Sequence, residues 1–202
     1  DGCLLTVDVN LYYTTGRIYS GYFYLPAEGA PWFFVKRPNG LAGDHVEYIR
    51  KPEQMAELFA FYGLEMPEKL LLEADELTYN DYIRLQKIFN PKETGNATAM
   101  MRELRRIKTP YEIEMFRISA ERHAKTYAEI PECFRPGMTD LEFQYEIEKR
   151  MRKNGSIGLF RAFGANMDIF MGSILAGENA EVPSPFDFAL GGSGIDASCP
   201  LG

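Results

Sequence analysis

Two tetrapeptides, Thr109-Pro110-Tyr111-Glu112 and Thr139-Asp140-Leu141-Glu142, carry the same helix-starting chemistry and leave the chain after them little freedom. In each, the Thr hydroxyl can accept from the backbone N–H three residues on, and the Glu carboxylate can reach back to the Thr amide. Pro110 takes the first helical position, where its missing N–H costs nothing. Ile113, Phe116, Ala120, Ala124 and Tyr127 then recur at helical spacing, which predicts a long helix reaching roughly Ile130. Pro136-Gly137 breaks the chain before the second box. Leu141, Tyr145, Ile147 and Met151 form the apolar side of the second helix, and Asn154-Gly155 stops it. Residues 157–163 and 170–175 read as strands. The second half is expected to place helices on one face of a mainly antiparallel sheet.

The first 95 residues have a different texture. Residues 2–7 are an apolar run without helical spacing and read as a buried strand. Residues 10–16 are loop-like. Residues 18–25 and 31–35, rich in aromatic and β-branched side chains, flank the turn Ala27-Glu28-Gly29-Ala30 and predict a hairpin. Pro52 opens a helix whose Met55, Leu58, Phe59 and Tyr62 share a face, and Gly63 stops it. Residues 70–73 read as a strand. Thr78 caps a further helix with Tyr82, Leu85 and Phe89 inward, ended by Asn90-Pro91. Strands alternating with helices predict a small α/β domain. The polar segment 92–97 is the expected boundary, giving domains 1–96 and 97–202.

With 46% hydrophobic residues, the 202-residue chain can bury a core without disulfide or metal staples. Its net charge of -7 argues against nucleic acid as a partner, since phosphate binding needs clustered Lys and Arg. Cys3, Cys133 and Cys199 form no CxxC pair, which excludes a zinc knuckle or thioredoxin-type motif and favours reduced thiols in a cytoplasmic protein. No apolar run reaches the roughly 18 residues that span a bilayer. The two histidines, His45 and His123, fall in different expected domains and in neither HxxxH nor HExxH, so both read as structural. There is no GxSxG elbow, and Gly191-Gly192-Ser193-Gly194 lacks the Lys-Ser or Lys-Thr of a P-loop. Motifs alone supply no complete catalytic constellation. The tail from Glu178 has loop chemistry and closes no element, so the chain is expected to be part of a longer protein.

Three ordered landmarks carry a resemblance. Leu104 through Glu112 reads Leu-Arg-x-Ile-Lys-Thr-Pro-x-Glu; Pro136-Gly137-Met138-Thr139-Asp140-Leu141-Glu142 follows; Gly177-Glu178-Asn179-Ala180-Glu181-Val182-Pro183 comes last. Ahead of them, Asn10 and Tyr13-Thr14-Thr15-Gly16 follow a strand and precede the hairpin. The chain resembles the creatinase, prolidase and aminopeptidase P family. The resemblance implies a creatinase-like α/β N-terminal domain, its first helix missing ahead of Asp1, followed by an incomplete α+β pita-bread domain. It implies hydrolysis of Xaa-Pro bonds in proline-containing peptides, by a cytoplasmic homodimer. It also implies two divalent cations, manganese-like, that bridge and acidify a water and polarise the scissile carbonyl. Their ligands, two Asp, one His and two Glu, come after the third landmark, so no residue of this chain is a metal ligand and the chain alone is expected to be inactive. Asn179 and Ser184 are the implied substrate-binding residues. Ser184 stands where the family commonly has His, and a hydroxyl cannot replace imidazole as an acid or base near neutral pH. Two alternatives follow: a homologue that binds peptide or protein without cleaving it, and a creatinase-like amidinohydrolase without metal.

Overall fold

The structure, a computed structural model, describes residues 1–161, 168–170 and 174–181. Gly2–Leu5 (β1) is buried at every position, as a strand covered on both faces must be. It pairs antiparallel with Ser20–Pro26 (β2) and parallel with Lys69–Leu72 (β5). β2 continues antiparallel into Trp32–Arg37 (β3), which pairs parallel with Val46–Tyr48 (β4). Glu93–Asn96 (β6) lies parallel to β5, so the sheet order is β4-β3-β2-β1-β5-β6.

Side-chain alternation along these strands divides the core in two. Leu4, Tyr22, Tyr24, Phe34, Leu70 and Leu72 pack with Met55 and Phe59 of Gln54–Tyr62 (α2), and with Leu85 and Phe89 of Tyr79–Phe89 (α3). Their neighbours Cys3, Leu5, Phe23 and Val35 face the other way. They pack with Leu11 of Asp8–Thr15 (α1) and Met101 of Thr98–Arg106 (α4). The expected small α/β domain is present. Its helix ends follow local chemistry: Thr78 accepts from the Asp81 amide, and Gly63 and Asn90 close α2 and α3 in the left-handed conformation.

Two local readings are corrected. Residues 10–16, expected as a loop, form most of α1, which ends at Gly16. The segment has no local side-chain cap at Val7 to announce a helix. The polar stretch 92–97, expected as the domain boundary, contains β6, hydrogen-bonded along β5. An edge strand needs no apolar alternation on its outer side, which is why its polarity misleads. β4 and α4 likewise lack a signal in the expected elements of the sequence.

The chain separates into two compact units, with the first running Asp1–Ile107. Both clusters are complete within it. Residues 1–107 expressed alone are therefore expected to unfold cooperatively in urea, with a slope of about 1–3 kcal/mol/M. A non-cooperative, featureless transition would show that the unit leans on the rest of the chain.

In the second unit both capping boxes form. Thr109 starts Pro110–Cys133 (α5), and Thr139 starts Asp140–Lys153 (α6). α5 passes the expected end at Ile130, running through Pro131 to Cys133. The two helices are joined by Asn154 Nδ2 donating to Thr126 Oγ1 at 3.0 Å and by Arg150 beside Glu129 at 3.4 Å. Leu159–Arg161 (β7) pairs antiparallel with Asp168–Phe170 (β8), and Glu178–Glu181 (α7) follows. β7 falls in the expected strand 157–163, while β8 starts ahead of the expected 170–175.

Candidate functional site

β1, β5 and β6 run parallel, and in open α/β sheets ligands gather outside the carboxyl ends of such strands. Here that position is filled by the turn after β5. Glu73 has no exposed surface. Its Oε2 accepts from the Thr6 amide at 2.6 Å and the Val7 amide at 2.8 Å. Its Oε1 accepts from Asn10 Nδ2 at 2.5 Å. A side chain 66 residues downstream therefore satisfies the amides where α1 begins, which would otherwise lack partners.

Asp75 and Glu76 extend the hub to the other helix on this face. Asn96 Nδ2 donates to Asp75 Oδ1 at 2.7 Å, and Arg102 of α4 donates to Glu76 Oε1 at 2.8 Å. Tyr13 at the far end of α1 donates to the Leu104 carbonyl of α4 at 3.2 Å. The turn 73–76 thus holds α1 and α4 together.

Burial pushes the Glu73 carboxyl above the usual carboxylate range, and the hydrogen bonds from Thr6, Asn10 and Val7 offset this only in part. Burial also pushes the Cys3 thiol up to about 12, with the Glu73 carboxylate adding to it. A thiol held so high is not a nucleophile near neutral pH. Every carboxylate of the hub is engaged by groups of the chain itself, so the arrangement positions helices rather than offering an open site. In the sequence, Glu73 reads only as the end of a strand. The signal was a single acid closing the run Leu70-Leu71-Leu72.

The histidines do not converge on chemistry. His45 stacks on Trp32, with ring centroids 4.6 Å apart, in the first unit. His123 lies in the second, on a groove of about 470 Å³ with Arg122, Thr126 and Asn154. Among the described residues, no group of three or more His, Cys, Asp or Glu could hold a metal. Also among them, no helix is long and apolar enough to cross a membrane.

Ser184 lies outside the described residues, and so does the side chain of Asn179, whose backbone is in α7. The segment leading there is tied to the start of α6. Gln144 Oε1 accepts from the Ile174 amide at 3.1 Å, and Asp140 Oδ2 accepts from the Ala176 amide at 3.2 Å. Gly177 then takes a left-handed φ of 62°, which glycine adopts without strain.

Residues 1–107 match the family model of the Creatinase/Prolidase N-terminal domain. The chain belongs to the creatinase/prolidase family. Among curated relatives, an uncharacterized peptidase of Staphylococcus haemolyticus is 24% identical over 198 residues, 91% of this chain and 52% of that protein. The chain thus spans about half the length of the curated relatives it matches. An Xaa-Pro dipeptidase from Bacillus anthracis superposes with a TM-score of 0.62 at 23% identity, over 78% of this chain and 45% of that one. An X-Pro aminopeptidase from Thermotoga maritima gives 0.66 at 17% identity, over 79% and 48%. At these identities the structures establish the creatinase/prolidase fold, which the three landmarks had implied.

Proposed function

We propose that the protein containing this chain hydrolyses Xaa-Pro bonds as a metallopeptidase of the aminopeptidase P or prolidase type. The family match over residues 1–107 carries the reading. The names of the solved structures, an Xaa-Pro dipeptidase and an X-Pro aminopeptidase, support its direction. In this reading the first unit is the creatinase-like N-terminal domain, and the residues after it open the pita-bread catalytic domain. Asn179 and Ser184 line one wall of the substrate cleft.

The described residues do not fit a pair of divalent, manganese-like cations, because they bring no set of ligands together. The role left to this part of the chain is positional. α5 and α6 form a supporting pair, and Asp140 and Gln144 fix the segment that leads to Asn179. The reading also makes the protein a cytoplasmic homodimer; a monomer by light scattering would count against that part of it.

An Xaa-Pro dipeptide and a tripeptide, each with added manganese, test the assignment on two samples: the 202-residue chain, and the protein extended to the full length of its relatives. Turnover is expected only from the second. Metal-dependent turnover by the chain alone would remove the positional role. No turnover from either would favour a homologue that binds peptides without cleaving them, the reading toward which Ser184 points.

A further inference from the structure

At the opposite end of β1 from Glu73, the first unit holds an open cleft of about 600 Å³, a size typical of small-molecule sites. Its walls are the hairpin turn 26–30 and the segment 63–68 that follows α2. Glu28 stands on the first wall, Glu65 and Glu68 on the second, and Asp1, just ahead of β1, adds a fourth carboxylate. No Lys, Arg or His side chain lines the cleft. Lys92 neutralises Glu68 from outside it. The carboxylates of Asp1, Glu28 and Glu65 have no partner among the described residues.

Exposed acids alone amount to a solvated rim. A second observation comes from deeper in the cleft. Tyr24 lines it while only 4% exposed. The Tyr24 ring is held edge-on to Phe59 at 5.0 Å, yet its hydroxyl has no hydrogen-bond partner among the described residues. That hydroxyl reaches across Gly2. A β-carbon there would lie 2.6 Å from the hydroxyl oxygen, so the missing side chain leaves the oxygen open toward the neighbouring Asp1. Burial raises the pKa of the Tyr24 hydroxyl, so it stays protonated near neutral pH and its lone pairs remain free to accept. A hydroxyl this deep and unpaired carries an uncompensated desolvation cost, which a donor from a ligand removes. Acids around an unpaired acceptor, with no basic side chain among them, call for a ligand that is cationic and rich in N–H donors.

We propose that this cleft binds an aliphatic diamine, one ammonium donating to the Tyr24 hydroxyl oxygen and the other paired with the carboxylates of Glu28 and Glu65. The lysine side chain of a partner protein offers the same ammonium, but only one. Three unpaired carboxylates spread over both walls match a ligand with two charges better. This inference stands independently of the proposed hydrolysis.

Trp32 is the only tryptophan of the chain and lines the same cleft, so its emission reports occupancy at the site itself. Cadaverine titrated into the 202-residue chain at constant pH and ionic strength is expected to give a saturable change, with a Kd of about 1 mM or tighter. The neutral diol of the same length is expected to give none. Tyr24→Phe, which removes only the unpaired hydroxyl, is expected to weaken binding about tenfold, the worth of a hydrogen bond to a charged group. The double variant Glu28→Gln, Glu65→Gln alters exposed positions only, and is expected to weaken it by about fivefold. No saturable change with cadaverine overturns the proposal. So does an equal response to the diol, or an unchanged Kd in either variant. Equal affinity for Nα-acetyl-lysine amide also overturns it, and would assign the cleft to a protein side chain instead.

Discussion

Phe59→Ala is expected to lower the stability of the first unit by about 3–5 kcal/mol, while Phe61→Ala, two residues away on the same helix, shifts it by less than about 0.5 kcal/mol. Phe59 has no exposed surface, whereas Phe61 is 78% exposed. The Phe59 ring meets Tyr24 edge-on at 5.0 Å and Phe89 edge-on at 5.5 Å, and it stacks on Phe34 at 6.0 Å. It therefore joins β2, β3 and α3 to α2. Truncation removes the transfer term and also leaves a cavity, because the strands around it are fixed by their ladders and cannot collapse inward. A loss of this size is a large share of the roughly 5–15 kcal/mol that holds a domain together. Urea midpoints of the two variants at equal slope would measure the difference. Similar midpoints would mean that the core lies elsewhere than in this aromatic cluster.

Gly21→Ala should be nearly as damaging, for the opposite reason. A β-carbon at Gly21 would lie 2.1 Å from the Phe34 carbonyl oxygen and 3.1 Å from the Val35 α-carbon. These are backbone atoms of the neighbouring strand, so no side chain can swing aside. The pairing of β2 with β3 shifts register at Ser20/Gly21, and a bulge of this kind brings the two backbones together. Separating them costs about 1–3 kcal/mol or more. It would also disturb the Gly21 carbonyl that accepts from Thr6 Oγ1 at 3.1 Å. Gly95→Ala is the contrasting change, since its nearest obstacle is the far end of the Leu71 side chain, at 2.5 Å. Thermal melts of both variants should place Gly21→Ala well below Gly95→Ala; the reverse order would show that β3 yields more easily than the leucine.

What could be read from the residues divides by the distance to the partner. α3, α5 and α6 announce themselves because Thr78, Thr109 and Thr139 cap their own helices three residues on. The hairpin β2–β3 announces itself because its turn is local. α1 and β6 do not. The start of α1 is completed by Glu73 from 66 residues away, and β6 is polar because it lies at the edge of the sheet. The same rule governs the site. The three landmarks lead to the family, because each is a contiguous motif. The hub of Glu73, Asp75 and Glu76 is invisible in one dimension, because its meaning lies in what β1 and α4 bring to it. Asn179 and Ser184 remain proposals of the resemblance.

The remote completion of α1 also bears on the order in which the chain can acquire structure. The β2–β3 hairpin, with Tyr24 opposite Trp32, can close as soon as both strands exist. α1 precedes them in the sequence but must wait. Eight residues without a cap do not hold a helix in water, and the missing carboxylate arrives only after β5 has threaded alongside β1. On a ribosome, all the residues through Glu73 must emerge before the segment 8–15 can settle. Its two tyrosines and Leu11 stay accessible during that interval. Segment 8–15 is therefore made before the strand that completes it, and a chaperone that binds short aromatic segments would find its target there.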